Sequence, residues 1–127
     1  MPTILVVQED DALLWCLREG LSVANHRILC ASSGAEGLRV FDEHGNSIHL
    51  LITDVVMPQI SGVQLARVLK QTNPLLSVLF VSHYPKDILA TYPLVPENVF
   101  VQMPFLMADV LATVNEACRP SAVDDRD

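Results

Sequence analysis

The sequence predicts an α/β fold in which helices cover both faces of a five-stranded parallel sheet. Five short apolar segments show no alternation of polar and apolar residues, which is typical of strands buried on both faces. Segments with helical spacing separate most of them, and a parallel strand pair needs such a crossover connection. With 127 residues, we expect one domain of this three-layer α/β/α class.

The first half of the chain predicts two strand–helix units. Residues 3–7 form the first apolar strand, and leucines recur at helical spacing after the acidic residues 9–11. Residues 27–31 form a second strand. Ser33 and its neighbours begin a second helix, which Gly45 ends.

The third strand, residues 50–53, stops at Asp54 and a loop rich in helix breakers, residues 55–62. A third helix follows, and the side chains we expect inside it are those of Leu65, Ala66, Val68 and Leu69.

Prolines dominate the segment after the fourth strand, residues 78–81. They leave room only for a short fourth helix around residues 87–91. A fifth strand over residues 99–102 and a final helix over residues 106–118 complete the domain, which we place at residues 1–120. We expect residues 121–127 to be a polar tail or the start of a linker.

Composition excludes several classes of function. The 15 acidic and 8 basic side chains give a net charge of -7, which opposes direct binding to nucleic acid or to anionic membranes. Apolar runs are far shorter than the ~20 residues that span a bilayer, so we expect no membrane segment. The three cysteines have no metal-binding or redox spacing, and we expect reduced, buried thiols and a cytoplasmic location.

Polar side chains follow the strands at one edge of the predicted sheet. Glu9 and Asp10 follow the first strand, Asp54 the third and Ser82 the fourth. In open α/β sheets, sites lie at the carboxyl ends of the strands. Clustered carboxylates repel unless a cation joins them, and Mg²⁺ prefers such oxygen ligands. A carboxylate beside Mg²⁺ can attack phosphorus, which makes Asp54 the candidate phosphoacceptor.

The segment Thr-Asp-x-x-Met-Pro-x-x-x-Gly, residues 53–62, resembles the receiver domains of two-component response regulators. Residues 4–10, the Val81-Ser82 pair and the Pro104-Phe105 pair match the same family, so the resemblance covers the chain to about Pro120. It implies a flavodoxin-like sheet of strand order 2-1-3-4-5. It also implies a signalling domain that is not an enzyme in its own right.

The resemblance assigns a role to each site residue. Asp54 would accept the phosphoryl group from a histidine kinase or phosphotransfer domain, and Ser82 would hydrogen-bond it. Glu9, Asp54 and the backbone carbonyl of Val56 would hold a weakly bound Mg²⁺. Phe100 would be the switch aromatic, and the fourth helix, fifth strand and last helix would form the surface for an output domain or partner protein.

Two positions depart from the family pattern. Gln8 stands where receivers usually carry a second acidic residue, and Met103 stands where they carry a lysine that contacts the phosphoryl group. The two losses cancel in net charge, so a divalent ion could still bind, but methionine cannot replace the lysine. Two functions therefore stay open: a phosphorylatable receiver and a pseudo-receiver that acts as a phosphorylation-independent interaction module.

Several residues also have purely structural interpretations. Asp10 and Asp11 could favour the dipole of the first helix, and Phe100 and Ser82 could belong to the core. We expect the Trp15 side chain to serve packing of the first helix rather than recognition of a partner. Residues 82–84 and 100–105 are most similar to receivers attached to hybrid sensor kinases, so a fragment of a longer sensor protein and a stand-alone receiver both remain open, as does the oligomeric state.

Overall fold

The computed structural model describes residues 3–22, 26–82, 100–102 and 107–118. In chain order the elements are β1 Thr3–Val7, α1 Asp11–Ser22, β2 Arg27–Ala31, α2 Gly34–His44, a short 3₁₀ turn Gly45–Ser47, β3 Leu50–Asp54, α3 Gly62–Thr72, β4 Ser77–Ser82, β5 Phe100–Gln102 and α4 Met107–Cys118. The short helix predicted around residues 87–91, Met103 and the tail at residues 121–127 lie outside the described residues.

All strand pairs are parallel, and the predicted α/β class with a parallel sheet is confirmed. Four strands in the order β2-β1-β3-β4 form the body of the sheet, and the three-residue β5 pairs with β4 at its edge. Val7 is in register with Thr53 of β3, and Asp54 with Val81 of β4. The carboxyl ends of the central strands therefore meet at one edge.

Two apolar cores lie on opposite faces of the sheet. Because side chains alternate along a strand, Ile4 and Val6 of β1 enter one core, whereas Leu5 and Val7 enter the other. The first core is completed by leucines of α1 and valines of α4, and the second by apolar residues of α2 and α3. Every residue of β1 and of β3 is buried, which explains why these strands lack alternation.

Local hydrogen bonds determine where the helices begin. The Ser33 hydroxyl accepts a hydrogen bond from the backbone N–H of Glu36, 3.1 Å away, and caps α2. Ser61 and Gln64 form a capping box at α3, each side chain accepting from the other residue's backbone N–H at 3.1 and 2.9 Å. Gly45, at φ 53°, ends α2 as predicted.

Three expectations about burial are wrong. Val68 is 43% exposed and Trp15 is 59% exposed, and the thiol-bearing Cys16 is also exposed rather than buried. The buried stripe of α1 consists of Leu13, Leu17 and Leu21, which are four residues apart. Trp15 lies two residues from Leu13, close to the opposite side of the helix, because each residue turns the helix by about 100°. Val68 likewise lies outside the buried face of α3, which includes Leu65, Ala66 and Leu69.

No helix in the described part of the chain combines the length and the apolar character needed to cross a membrane.

Candidate functional site

Asp54 is the last residue of β3 and is almost completely buried, with 5% of its surface exposed. Its carboxylate oxygen Oδ1 accepts a hydrogen bond from the backbone N–H of Val56 at 3.3 Å. The Thr53 hydroxyl donates to the backbone carbonyl of Asp54 at 3.0 Å. The strand end and the following turn thus hold this carboxylate in a defined orientation.

The loop after β3 returns to Asp54 through Gly62. The Gly62 backbone N–H donates to the carbonyl of Val55 at 2.8 Å. A side-chain carbon at position 62 would collide with the Asp54 backbone, so only glycine allows this approach. The glycine of the Thr-Asp-x-x-Met-Pro-x-x-x-Gly segment is therefore required by close packing of the start of α3 against the phosphoacceptor candidate.

The turn from β1 into α1 carries the other predicted carboxylates, and it gives them different roles. Asp10 caps α1, because its Oδ1 accepts from the backbone N–H groups of Ala12 at 3.0 Å and Leu13 at 3.2 Å. This favours the structural interpretation of Asp10. Glu9 is exposed at the same sheet edge.

Gln8 is the residue whose importance the sequence interpretation missed. It is only 1% exposed, its backbone N–H donates to the carbonyl of Ala31 at 3.0 Å, and its side-chain Oε1 accepts from the backbone N–H of Asp10 at 3.3 Å. Its side-chain Nε2 is buried and has no hydrogen-bond partner in the part of the chain that the structure describes. In the sequence, Gln8 stood out as a missing carboxylate, and the signal for its burial was that it directly continues the fully buried β1.

Ser82 and Phe100 lie on the two strands nearest the far edge of the sheet. Ser82 is the last residue of β4 and is in register with Gln102 of β5. Phe100 begins β5 and is in register with Phe80. The backbone thus places Ser82 one step beyond the residue that pairs with Asp54.

The oxygen donors at this edge match the chemistry of a weakly held Mg²⁺. Two carboxylates, Glu9 and Asp54, and the carbonyl of Val56 are hard oxygen ligands, and Mg²⁺ usually keeps several waters. Among residues 3–22, 26–82, 100–102 and 107–118, no group of three His, Cys, Asp or Glu side chains could hold a metal.

The model of the family "Response regulator receiver domain" matches residues 4–97. Among curated proteins, the chain is 32% identical over 115 residues to "Sensor kinase CckA" of Brucella abortus (strain 2308), covering 90% of this chain and 12% of that protein. It is 30% identical over 84 residues to "Response regulator receiver protein CpdR" of the same strain, covering 66% of this chain and 68% of that protein.

Solved receiver-domain structures have a similar fold over most of this chain. A response regulator receiver domain protein from Clostridium thermocellum has a TM-score of 0.78 at 31% identity, covering 92% of this chain and 94% of that one. The receiver domain of the hybrid histidine kinase CckA has a TM-score of 0.77 at 26% identity, covering 92% and 99%. The predicted flavodoxin-like α/β fold is confirmed. The chain spans only 12% of the CckA sensor kinase and 36% of the regulator AfsQ1 of Streptomyces coelicolor (strain ATCC BAA-471 / A3(2) / M145).

Proposed function

The chain belongs to the response regulator receiver domain family of two-component signalling, and on that premise we propose that it accepts a phosphoryl group on Asp54. The observation that carries the proposal is the buried Asp54 carboxylate at the end of β3, oriented by the backbone N–H of Val56. Such a carboxylate is a nucleophile in a fixed position.

In the proposed reaction, a carboxylate oxygen of Asp54 attacks the phosphorus of a phosphohistidine on a histidine kinase or phosphotransfer domain. A P–O bond to Asp54 forms as the P–N bond breaks. The electron pair of the P–N bond stays on the imidazole nitrogen, which takes up a proton from water. The Val56 N–H keeps the carboxylate in the orientation needed for attack.

Glu9, Asp54 and the Val56 carbonyl are the groups that would hold Mg²⁺ in this pocket. When bound, the ion would neutralise negative charge on the transferring phosphoryl oxygens. Glu9 is an exposed side chain in the turn between β1 and α1, and in this proposal its carboxylate would bind the ion from there. The same turn is anchored by the capping bonds of Asp10.

Ser82 and Phe100 would transmit phosphorylation to the surface. In this proposal the Ser82 hydroxyl, at the end of β4, bonds the phosphoryl group. Phe100, on the fifth strand, is the aromatic that changes its packing in response. The surface around β5 and α4 would then bind an output domain or partner protein.

The chain is further proposed to be the receiver part of a longer sensor protein that works in the cytoplasm. The similarity to the CckA sensor kinase over 90% of this chain supports the first point. The unpaired thiols of Cys16 and Cys30 agree with a reducing compartment.

Intact-protein mass spectrometry tests phosphorylation directly. The protein is incubated with acetyl phosphate and Mg²⁺, with Asp54→Asn as the matched control, and again with EDTA in place of Mg²⁺. We expect one phosphoryl adduct that requires Mg²⁺ and is absent from the variant. Absence of the adduct with acetyl phosphate and with a panel of phosphorylated histidine kinases would refute the proposal.

The pseudo-receiver is the second candidate, and Met103 is the observation that favours it. Receivers usually place a lysine there to bind the phosphoryl group, and the thioether carries no charge. A pseudo-receiver would bind its partner with equal affinity as wild type and as Asp54→Asn. A phosphorylatable receiver would bind differently after adduct formation.

A further inference from the structure

The amide of Gln8 is a buried hydrogen-bond donor at the edge of the sheet that carries Asp54. Gln8 is 1% exposed, and its Nε2 has no partner among the described residues. Buried polar groups are normally hydrogen-bonded, because leaving them unpaired away from water is unfavourable. A buried donor without a partner among the described residues therefore points to a group that arrives from outside them.

The orientation of this amide is determined by its neighbour. Oε1 of Gln8 accepts from the backbone N–H of Asp10 at 3.3 Å. A backbone N–H can only donate, so rotating the amide by half a turn would place two donors against each other. Asp10 is itself fixed as the cap of α1. Nε2 must therefore remain the atom that faces away from the α1 turn.

The strand register also brings Gln8 to the position next to Asp54. Val7 is in register with Thr53, so the next step along both strands brings Gln8 next to Asp54. Neighbouring strands are about 4.8 Å apart, and positions in register on parallel strands lie on the same face of the sheet. Both side chains are buried, which places a donor and a carboxylate together at this edge.

The chemistry of the Gln8 amide determines which kind of ligand group it can bind. An N–H donor cannot ligate a cation, and the amide oxygen is already engaged by Asp10. Compared with a carboxylate at this position, Gln8 removes one ligand from a metal and adds one donor for an oxyanion. Hydrogen bonds from N–H groups to charged oxygens are the stronger kind.

We propose that the Gln8 side-chain amide donates a hydrogen bond to an oxygen of the phosphoryl group carried by Asp54, and so replaces part of the interaction that the lysine at the Met103 position makes in typical receivers. This inference rests on the proposed function. It makes the two departures from the family pattern complementary: the position that loses a carboxylate gains the donor that the pocket lost at residue 103.

Two variants at position 8 separate the donor from the shape of the side chain. Gln8→Met keeps the length and removes the donor, and Gln8→Glu keeps the shape and replaces the donor by an oxygen. Gln71→Met is the matched control, because Gln71 is exposed on α3. Far-UV circular dichroism and urea unfolding verify that each variant is folded.

The first readout is the half-life of the Asp54 adduct, followed by intact-protein mass spectrometry after removal of acetyl phosphate. Loss of a hydrogen bond to a charged group should shorten it about tenfold in Gln8→Met. In EDTA, where no divalent ion screens the charges, Gln8→Glu should shorten it further, because a carboxylate repels the phosphoryl oxygens. Gln71→Met should match the wild type.

The second readout is the ¹⁵N-resolved side-chain amide signal of Gln8, assigned by its loss in Gln8→Met. On formation of the adduct it should move downfield, whereas the Gln71 amide signal should not. An adduct that leaves the Gln8 signal in place, with a half-life in Gln8→Met within twofold of wild type, overturns the inference while the proposed function stands.

If the wild type forms no adduct, the proposed function fails, and a titration with orthophosphate then tests Gln8 independently. Saturable movement of its amide signal would support an oxyanion-binding donor at this edge. No movement would overturn the inference as well.

Discussion

Replacing Gly62 by alanine should destabilise the domain at the loop that supports Asp54. A Cβ atom at this position would lie 2.9 Å from the carbonyl carbon of Asp54 and 3.1 Å from Cγ2 of Thr53, and closer still to the Asp54 carbonyl oxygen. Favourable contacts between carbon atoms are about 3.5–4.0 Å. The obstacle is backbone, which cannot rotate away, so the start of α3 must move.

The magnitude follows from two losses and one gain. Overpacking of this kind costs about 1–3 kcal/mol, and lengthening the 2.8 Å bond from the Gly62 N–H to the Val55 carbonyl costs about 1 kcal/mol more. The higher helix propensity of alanine offsets up to about 1 kcal/mol. We therefore expect the free energy of unfolding to fall by about 1–3 kcal/mol.

Urea unfolding followed by far-UV circular dichroism measures this change as a lower midpoint at an unchanged slope. Gly20→Ala is the matched control, because a Cβ there meets only the flexible side chain of Met107, at 2.6 Å from its terminal carbon. Its free energy of unfolding should not fall by more than about 0.5 kcal/mol, because the higher helix propensity of alanine, up to about 1 kcal/mol, offsets the displacement of Met107. A Gly62→Ala protein as stable as the wild type would refute the close-packing argument.

Two further predictions concern the neighbouring leucines after α3 and the start of α2. Leu76→Ala should lower the free energy of unfolding by about 2–5 kcal/mol, because Leu76 is 1% exposed, whereas Leu75→Ala should change it by less than about 0.5 kcal/mol, because Leu75 is 91% exposed. Equal effects of the two substitutions in urea unfolding would contradict this assignment of burial. The pKa of Glu36 is lowered from its ordinary value, chiefly by hydrogen bonds from the backbone N–H and hydroxyl of Ser32, so ionised Glu36 stabilises the fold above the unfolded-state pKa of about 4.3. That contribution is lost as the pH falls through the lower folded-state pKa. Glu36→Gln should therefore be less stable than wild type at neutral pH, and the two stabilities should converge in acid. A constant difference in the free energy of unfolding at all pH values would count against this linkage.

The strands could be predicted from the sequence because their signal is local. β1 and β3 are buried on both faces, so each appears as an uninterrupted apolar run, and Asp54 stands out as the first charge after such a run. The start and the end of α2 were equally visible, because Ser33 acts through a hydrogen bond and Gly45 through its backbone angles, both within a few residues.

The helix surfaces and the role of Gln8 could not be predicted in the same way. Apolar residues such as Trp15 and Val68 lie outside the buried stripe of their helix, and the sequence does not indicate how wide that stripe is. Gln8 appeared only as a missing carboxylate. Its burial depends on pairing with Ala31 and on the Asp10 N–H, and its position beside Asp54 depends on the register of two strands far apart in the chain.

The exposure of Trp15 has a practical consequence for spectroscopy. It is the single tryptophan of the chain, and 59% of its surface is in contact with solvent on α1. An indole that is already hydrated changes its emission little when the chain unfolds, so tryptophan fluorescence would understate denaturation. The same emission should shift to shorter wavelength when another molecule covers this face of α1, which makes Trp15 a built-in optical reporter of complex formation rather than of folding.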